Sequence, residues 1–172
     1  MALLPIITAP DPILETVSTP VEQVTDEVRQ QLDDMLETMY AAPGIGLAAI
    51  QVGITKRMLV IDVSREGEDK NPLFIINPEI TWASDDDSVY EEGCLSLPEQ
   101  YADVERPAEI KVSYLDRNGE HQELHADGLL ATCLQHEMDH LDGILFVDHI
   151  SALKRNMILR KLLKQKRLAT AG

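Results

Sequence analysis

At 172 residues the chain is long enough to bury a continuous core without disulfides or a structural metal, and it reads as one domain over 1–172. Its two cysteines, Cys94 and Cys133, offer no disulfide framework. The opening has no basic residue before Arg29, and no stretch approaches the roughly 20 apolar residues of a spanning helix, so a soluble cytoplasmic protein, with no membrane partner, is expected. The net charge of −15 argues against DNA as a partner, yet it hides a segregation: the chain through Asp148 carries −22, whereas residues 154–167 carry +7.

Val28, Leu32, Met35, Leu36 and Met39 recur at helical spacing and predict an amphipathic helix over 26–40, capped by Thr25 or Asp26 and stopped at Pro43-Gly44. Gly44-Ile45-Gly46-Leu47-Ala48-Ala49-Ile50-Gln51 then reads as a loop too apolar for a linker, its glycines suiting a backbone that passes close to something buried. It lacks the Lys-Ser/Thr ending of a phosphate loop and the third glycine of a dinucleotide fingerprint, which argues against a nucleotide. Apolar and β-branched runs at 58–63, 73–76, 80–82 and 110–115 predict strands, with turns at Asn77-Pro78 and Asn118-Gly119. The second dipeptide predicts a type I′ hairpin, with positive φ at both central residues. Between these strands, Gly93 frees the backbone beside Cys94 and Pro98 ends a segment suited to presenting the thiol into a cleft. Asp127 is placed to cap a second, mostly apolar helix that Gly143 ends, and a third, basic helix is expected at about 151–168. The fold class is α+β: antiparallel or mixed β-sheets around a central buried helix, with N- and C-terminal helices.

The second helix carries His136-Glu137-Met138-Asp139-His140. Two imidazoles four positions apart share a helix face and can bind one metal ion, while Glu137 is placed to reach a water on that metal without being a ligand. Metal-assisted hydrolysis with three protein ligands and one open position is the chemistry this spacing suits. The acids after His140 are only Asp142 and Asp148, and Phe146 stands where another protease class needs histidine, so two metallopeptidase arrangements fail. Cys133 shares the face but lies about 7 Å below the level between the histidines, at about 1.5 Å per residue, and reads as a core residue. His149 stays open as third ligand, with His121 and His125 less suited. Cys94 is favoured, because a thiolate is a strong ligand. A Cys–His nucleophile is the rival, and it leaves Glu137 and the second histidine without roles.

Three segments, Gly44 to Gln51, Glu92-Gly93-Cys94-Leu95-Ser96 and Gln135 to Gly143, together resemble the signature motifs of the peptide deformylase family, and the likeness extends from Asp11-Pro12-Ile13-Leu14 to the terminal helix. The resemblance implies removal of the formyl group from N-formyl-methionyl nascent peptides in the bacterial cytoplasm, with release of formate. It implies a divalent metal on Cys94, His136 and His140, normally Fe(II) and replaceable by Ni, Co or Zn. It makes Glu137 the proton carrier, with the Gln51 side chain and the Leu95 amide as donors to the oxyanion. Substrate contacts fall on Ile45, Gly46 and Gly93, and the methionine pocket on Tyr90, Leu129, Cys133 and His136. Tyr101 stands where many bacterial members carry arginine, so no basic substrate contact is assigned there. The basic tail is expected to dock on the ribosome, and the protein to be a monomer. The alternatives are a general metallopeptidase and a non-enzymatic metal-binding or ribosome-associated adaptor.

Overall fold

The structure, a computed structural model, describes residues 2–171. Its centre is a five-stranded antiparallel sheet in the order β1-β2-β3-β6-β7, built from β1 (Gly46–Ala48), β2 (Met58–Ile61), β3 (Leu73–Ala83), β6 (Glu109–Leu115) and β7 (His121–Asp127). Helices α1 (Asp26–Ala41) and α2 (Gly128–Leu141) cover its two faces. The sequence of β2 shows why: Met58 and Val60 pack with Leu32, Met35 and Met39 of α1, whereas Leu59 and Ile61 pack with Leu134, Met138 and Leu141 of α2. A strand covered on both sides is apolar at every position, since successive side chains point to opposite faces.

A second, two-stranded antiparallel sheet joins β4 (Asp87–Cys94) to β5 (Leu97–Pro107) through a two-residue turn at Leu95-Ser96. Leu97 and Val104 of β5 form a third cluster with Phe146, Val147, Ile158 and Leu162, the last two from α3 (Ala152–Ala171). The N-terminal segment straps these parts together: the Ile7 amide donates to the Gln51 carbonyl at 2.7 Å and the Ala9 amide to the Ser96 carbonyl at 2.8 Å. The fold is α+β, with α2 almost wholly buried.

Several local expectations are corrected. Residues 44–51 are not one loop: they form the edge strand β1 and a 3-10 turn over Ala49–Val52. Asn77-Pro78 does not break the chain, because β3 runs through it on a bulge. Asn77 takes φ 51°, and its side chain both accepts from the Val21 amide and donates to the Val21 carbonyl, each at 2.8 Å. The β6–β7 connection is not a type I′ turn, since only Gly119 of the pair has positive φ. Asp116 closes a longer loop, its carboxylate accepting from the Asn118 and Glu120 amides. Pro98 lies inside β5 and ends nothing. Asp127 occupies the N-cap of α2, but its side chain makes no cap hydrogen bond. The end of α2 is as expected: the helix stops at Leu141, Asp142 is its C-cap, and Gly143 follows in the left-handed conformation. That glycine is required, because its φ is 76° and a Cβ there would collide with the Glu15 carbonyl.

Candidate metal centre and cleft

Three separate parts of the chain meet at one cavity of about 660 Å³. Strand β1 and the turn after it supply Ile45, Gly46 and Gln51 to its wall, the β4–β5 hairpin supplies Tyr90, Gly93, Cys94, Leu95 and Tyr101, and α2 supplies Leu129, Cys133, His136 and Glu137. Each arrives by the logic of its element. Helical spacing stacks Cys133, His136, Glu137 and His140 towards one side of α2, and the tight turn at Leu95-Ser96 lifts Cys94 to the end of its hairpin, facing them.

Among the described residues, one group of histidine, cysteine and acidic side chains is arranged to hold a metal: Cys94, His136 and His140, with ligand atoms all within 4.8 Å of one another. Cys94 Sγ lies 3.3 Å from His140 Nε2. His136 is oriented from behind, since its Nδ1 is 2.9 Å from Glu92 Oε1, which leaves Nε2 as the nitrogen available to a metal. Two nitrogens and a sulfur at this separation fit a divalent transition metal. His149 does not join them. Its Nε2 is 2.8 Å from Asp139 Oδ2, whereas His121 pairs with Ser113 and His125 lies against Trp82.

Glu137 is only 4% exposed, and its Oε1 has no hydrogen-bond partner among the described residues while lying 4.0 Å from His140 Nε2. Burial, opposed by the nearby His136 charge, pushes its carboxyl up to about 7. Burial disfavours the charged form of His136 as well, but the Glu137 charge and the contacts with Cys94 and Glu92 outweigh it and raise its pKa well above the usual value. His140 moves the other way, lowered by burial and by the neighbouring charges of His136 and Arg106. Burial likewise pushes the Cys133 thiol up, which keeps it neutral against the cleft wall.

Gln51 is held at both ends of its amide. Oε1 accepts from the Ala48 amide at 2.9 Å, and Nε2 donates to Ser96 Oγ at 3.0 Å and points at Cys94 Sγ at 3.5 Å. Gly46 lies close to the acid: a Cβ there would stand 2.5 Å from Glu137 Oε2. The Tyr101 ring lies over Gly93, where a Cβ would meet it at 2.5 Å, so any side chain at 93 would displace the ring from the cleft rim.

Sequence reasoning assigned no role to the ion network behind His136. Arg106, buried within β5, grips Glu92 with Nε at 2.7 Å and Nη2 at 2.9 Å, and its Nη1 reaches Asp139 Oδ2 at 2.8 Å. The requirement that a ligating histidine present its second nitrogen to an acceptor was the available signal, and Glu92 in the Cys94 segment was the acid to suspect.

The polypeptide deformylase family model matches residues 3–156. The peptide deformylase of Rhizobium meliloti (strain 1021) is 60% identical over 164 residues, covering 95% of this chain and 94% of the relative. That of Agrobacterium fabrum (strain C58 / ATCC 33970) is 62% identical over 167 residues, covering 97% and 98%. Among solved structures, the peptide deformylase from Ehrlichia chaffeensis in complex with actinonin superposes with a TM-score of 0.93 at 44% identity, over 97% of this chain and 99% of that one. A plant peptide deformylase superposes with a TM-score of 0.90 at 33% identity, over 98% and 94%.

Proposed function

Because the chain belongs to the polypeptide deformylase family, metal-dependent hydrolases that remove the formyl group from nascent peptides, we propose that Cys94, His136 and His140 hold its metal and Glu137 carries the proton of the hydrolysis. One observation carries this assignment: three ligand atoms converge within 4.8 Å beside a buried carboxylate whose Oε1 is unpartnered, at an open cavity. Held by these three residues, the ion would supply Lewis-acid chemistry, lowering the pKa of a water and polarising the formyl group. Fe(II) is the ion we assign in the cell, with Ni, Co or Zn able to replace it. The mixed nitrogen and sulfur donor set suits each of these divalent ions, and the choice of iron among them rests on the resemblance to the family.

Glu137, buried beside the ligand set with Oε1 free of protein partners among the described residues, takes the proton of the attacking water and returns it to the departing amine nitrogen, one group serving both steps. Gln51 cannot swing freely, because the Ala48 amide fixes its Oε1, and its Nε2 is therefore preset to donate to the formyl oxygen as charge develops there. The Leu95 amide, in the tight turn beside Cys94, is the second donor. Each such donor is worth about 3 kcal/mol of the barrier. The peptide lies extended along β1, which is the edge of its sheet, with Ile45, Gly46 and Gly93 against its backbone. Its methionine side chain enters the wall formed by Tyr90, Leu129, Cys133 and the His136 ring.

Formate release from formyl-Met-Ala, with internal peptide bonds left intact, is the deciding assay. Internal cleavage would favour a peptidase, and inert metal-loaded protein an adaptor. Glu137→Ala should keep the metal and lose turnover, whereas Cys94→Ala should lose the metal. A Cys94→Ala protein with full metal content would refute the ligand set.

We further read residues 1–172 as one catalytic domain, acting as a monomer in the bacterial cytoplasm and docking on the ribosome through α3. No helix among the described residues is long and apolar enough to cross a membrane. On α3, Arg155 Nε is 2.8 Å from Asp148 Oδ1 and Lys166 Nζ donates to the Thr8 carbonyl at 2.6 Å, while Arg160, Lys161 and Lys164 are exposed. Reversing the charge of those three should abolish ribosome co-sedimentation at low salt and spare hydrolysis of formyl-Met-Ala. Unchanged sedimentation would refute the docking surface.

A further inference from the structure

The short 3-10 helix Phe146–His149, which the assigned mechanism does not use, touches the metal ligand His136 by two routes. Phe146 stacks on the His136 ring, with centroids 6.1 Å apart and planes 24° from parallel. His149 acts at the ring's edge through a chain of contacts: His149 Nε2 lies 2.8 Å from Asp139 Oδ2, Arg106 Nη1 donates to that same oxygen at 2.8 Å, Arg106 Nη2 donates to Glu92 Oε1 at 2.9 Å, and that oxygen meets His136 Nδ1 at 2.9 Å. Two carboxylates thus share one guanidinium. Glu92 and Arg106 are almost fully buried, whereas the Asp139 side chain is 23% exposed. Asp139 is therefore the one member able to turn to water, and His149 is the second group, beside Arg106, that holds it inward.

We infer that His149 is a positioning residue for the metal centre, fixing through Asp139, Arg106 and Glu92 the orientation in which His136 presents Nε2. If Asp139 is released, Arg106 Nη1 becomes a buried donor without a partner, which the guanidinium relieves by rotating. Glu92 Oε1, shared between Arg106 and His136, then shifts with it. The same 3-10 helix is also tied to α3 by the Asp148–Arg155 ion pair, so the C-terminal helix and the ligand are joined through one short element. This inference rests on His136 being a ligand, and the test separates the two.

Nickel-loaded full-length protein is challenged with a chelator, and nickel loss is timed for wild type, His149→Phe and His149→Gln. Phenylalanine keeps the ring and removes the donor, whereas the glutamine amide restores a donor. His149→Phe should lose nickel about 3- to 10-fold faster, less than the 10- to 100-fold expected for a group touching the ligand directly, and His149→Gln should recover most of the difference. In metal-free protein, the His136 Nδ1–H proton resonance should shift in His149→Phe and return in His149→Gln, while the melting temperature of the two variants stays together. Unchanged nickel loss and an unmoved resonance would overturn the inference. So would a loss that follows melting temperature and is not rescued by glutamine. Failure of His136→Ala to release nickel would instead overturn the ligand assignment.

Discussion

Gly46 stands where the substrate edge meets the proton carrier, and Gly46→Ala isolates that contact. The added Cβ would lie 2.5 Å from Glu137 Oε2 and 3.0 Å from Cys133 Sγ. To restore an ordinary separation of 3.4 Å the carboxylate must withdraw by about 0.9 Å. The backbone adds no strain, since Gly46 is not among the residues with positive φ. A misplacement of about 1 Å in a reacting group costs on the order of 100-fold in rate, equivalent to about 2.7 kcal/mol of barrier. Fold stability should fall by only about 1 kcal/mol, the low end for overpacking, because the displaced carboxylate borders an open cavity. The assay is kcat/KM for formate release from formyl-Met-Ala, with metal content and urea unfolding measured on the same preparation. Metal content should be unchanged, since Glu137 is not among the three ligands. A variant with wild-type kcat/KM would refute the placement of Glu137 as proton carrier. Equal losses of metal and activity would show that the clash acts on the ligands instead.

Three further outcomes are expected. In metal-free protein, Glu137 has a folded pKa of about 7 against 4.5 for the free side chain, so its contribution to stability is complete below pH 4.5 and lost as the pH rises through 7. The loss is about 3 kcal/mol, and urea unfolding of wild type against Glu137→Gln at pH 4.5 and pH 8 should show that gap opening, with parallel curves refuting it. Arg106→Met strands Glu92 and Asp139 without their cation and should cost about 3–5 kcal/mol in unfolding free energy, a change below about 1 kcal/mol being the contrary result. Gly143→Ala drives a Cβ into the Glu15 carbonyl at a φ of 76° and should destabilise by about 2–3 kcal/mol, which thermal unfolding would read, with activity per folded molecule unchanged.

What could be read from the chain depended on how strongly each element obeys a period. Helix α1 was legible because its apolar stripe and its Thr25 cap are both local, and the cap is as expected, with the Thr25 side chain accepting from the Val28 amide at 3.3 Å. The β4–β5 hairpin was not, because one of its faces meets water and charged residues such as Glu91, Asp103 and Glu105 interrupt any apolar run. Asn77-Pro78 misled for a related reason: a dipeptide that usually turns the chain is absorbed by a bulge, held by two bonds to Val21 from a distant segment. At the metal centre the histidines and Glu137 were visible as a helical spacing. The contacts that join Arg106, Asp139 and His149 were not, and His149 read only as a possible ligand, because those contacts arise only when β5 and the 3-10 helix are brought behind α2.

The three proposed ligands span positions 94 to 140, and the strand that walls the cleft opposite them begins at residue 46. No contiguous fragment short of that span contains the centre, and the strap at Ile7 and Ala9 that bonds to Gln51 and Ser96 extends the requirement almost to the chain's beginning. A fragment that lacks either end of that span therefore lacks part of the centre, and metal uptake reports that these distant segments have been brought together.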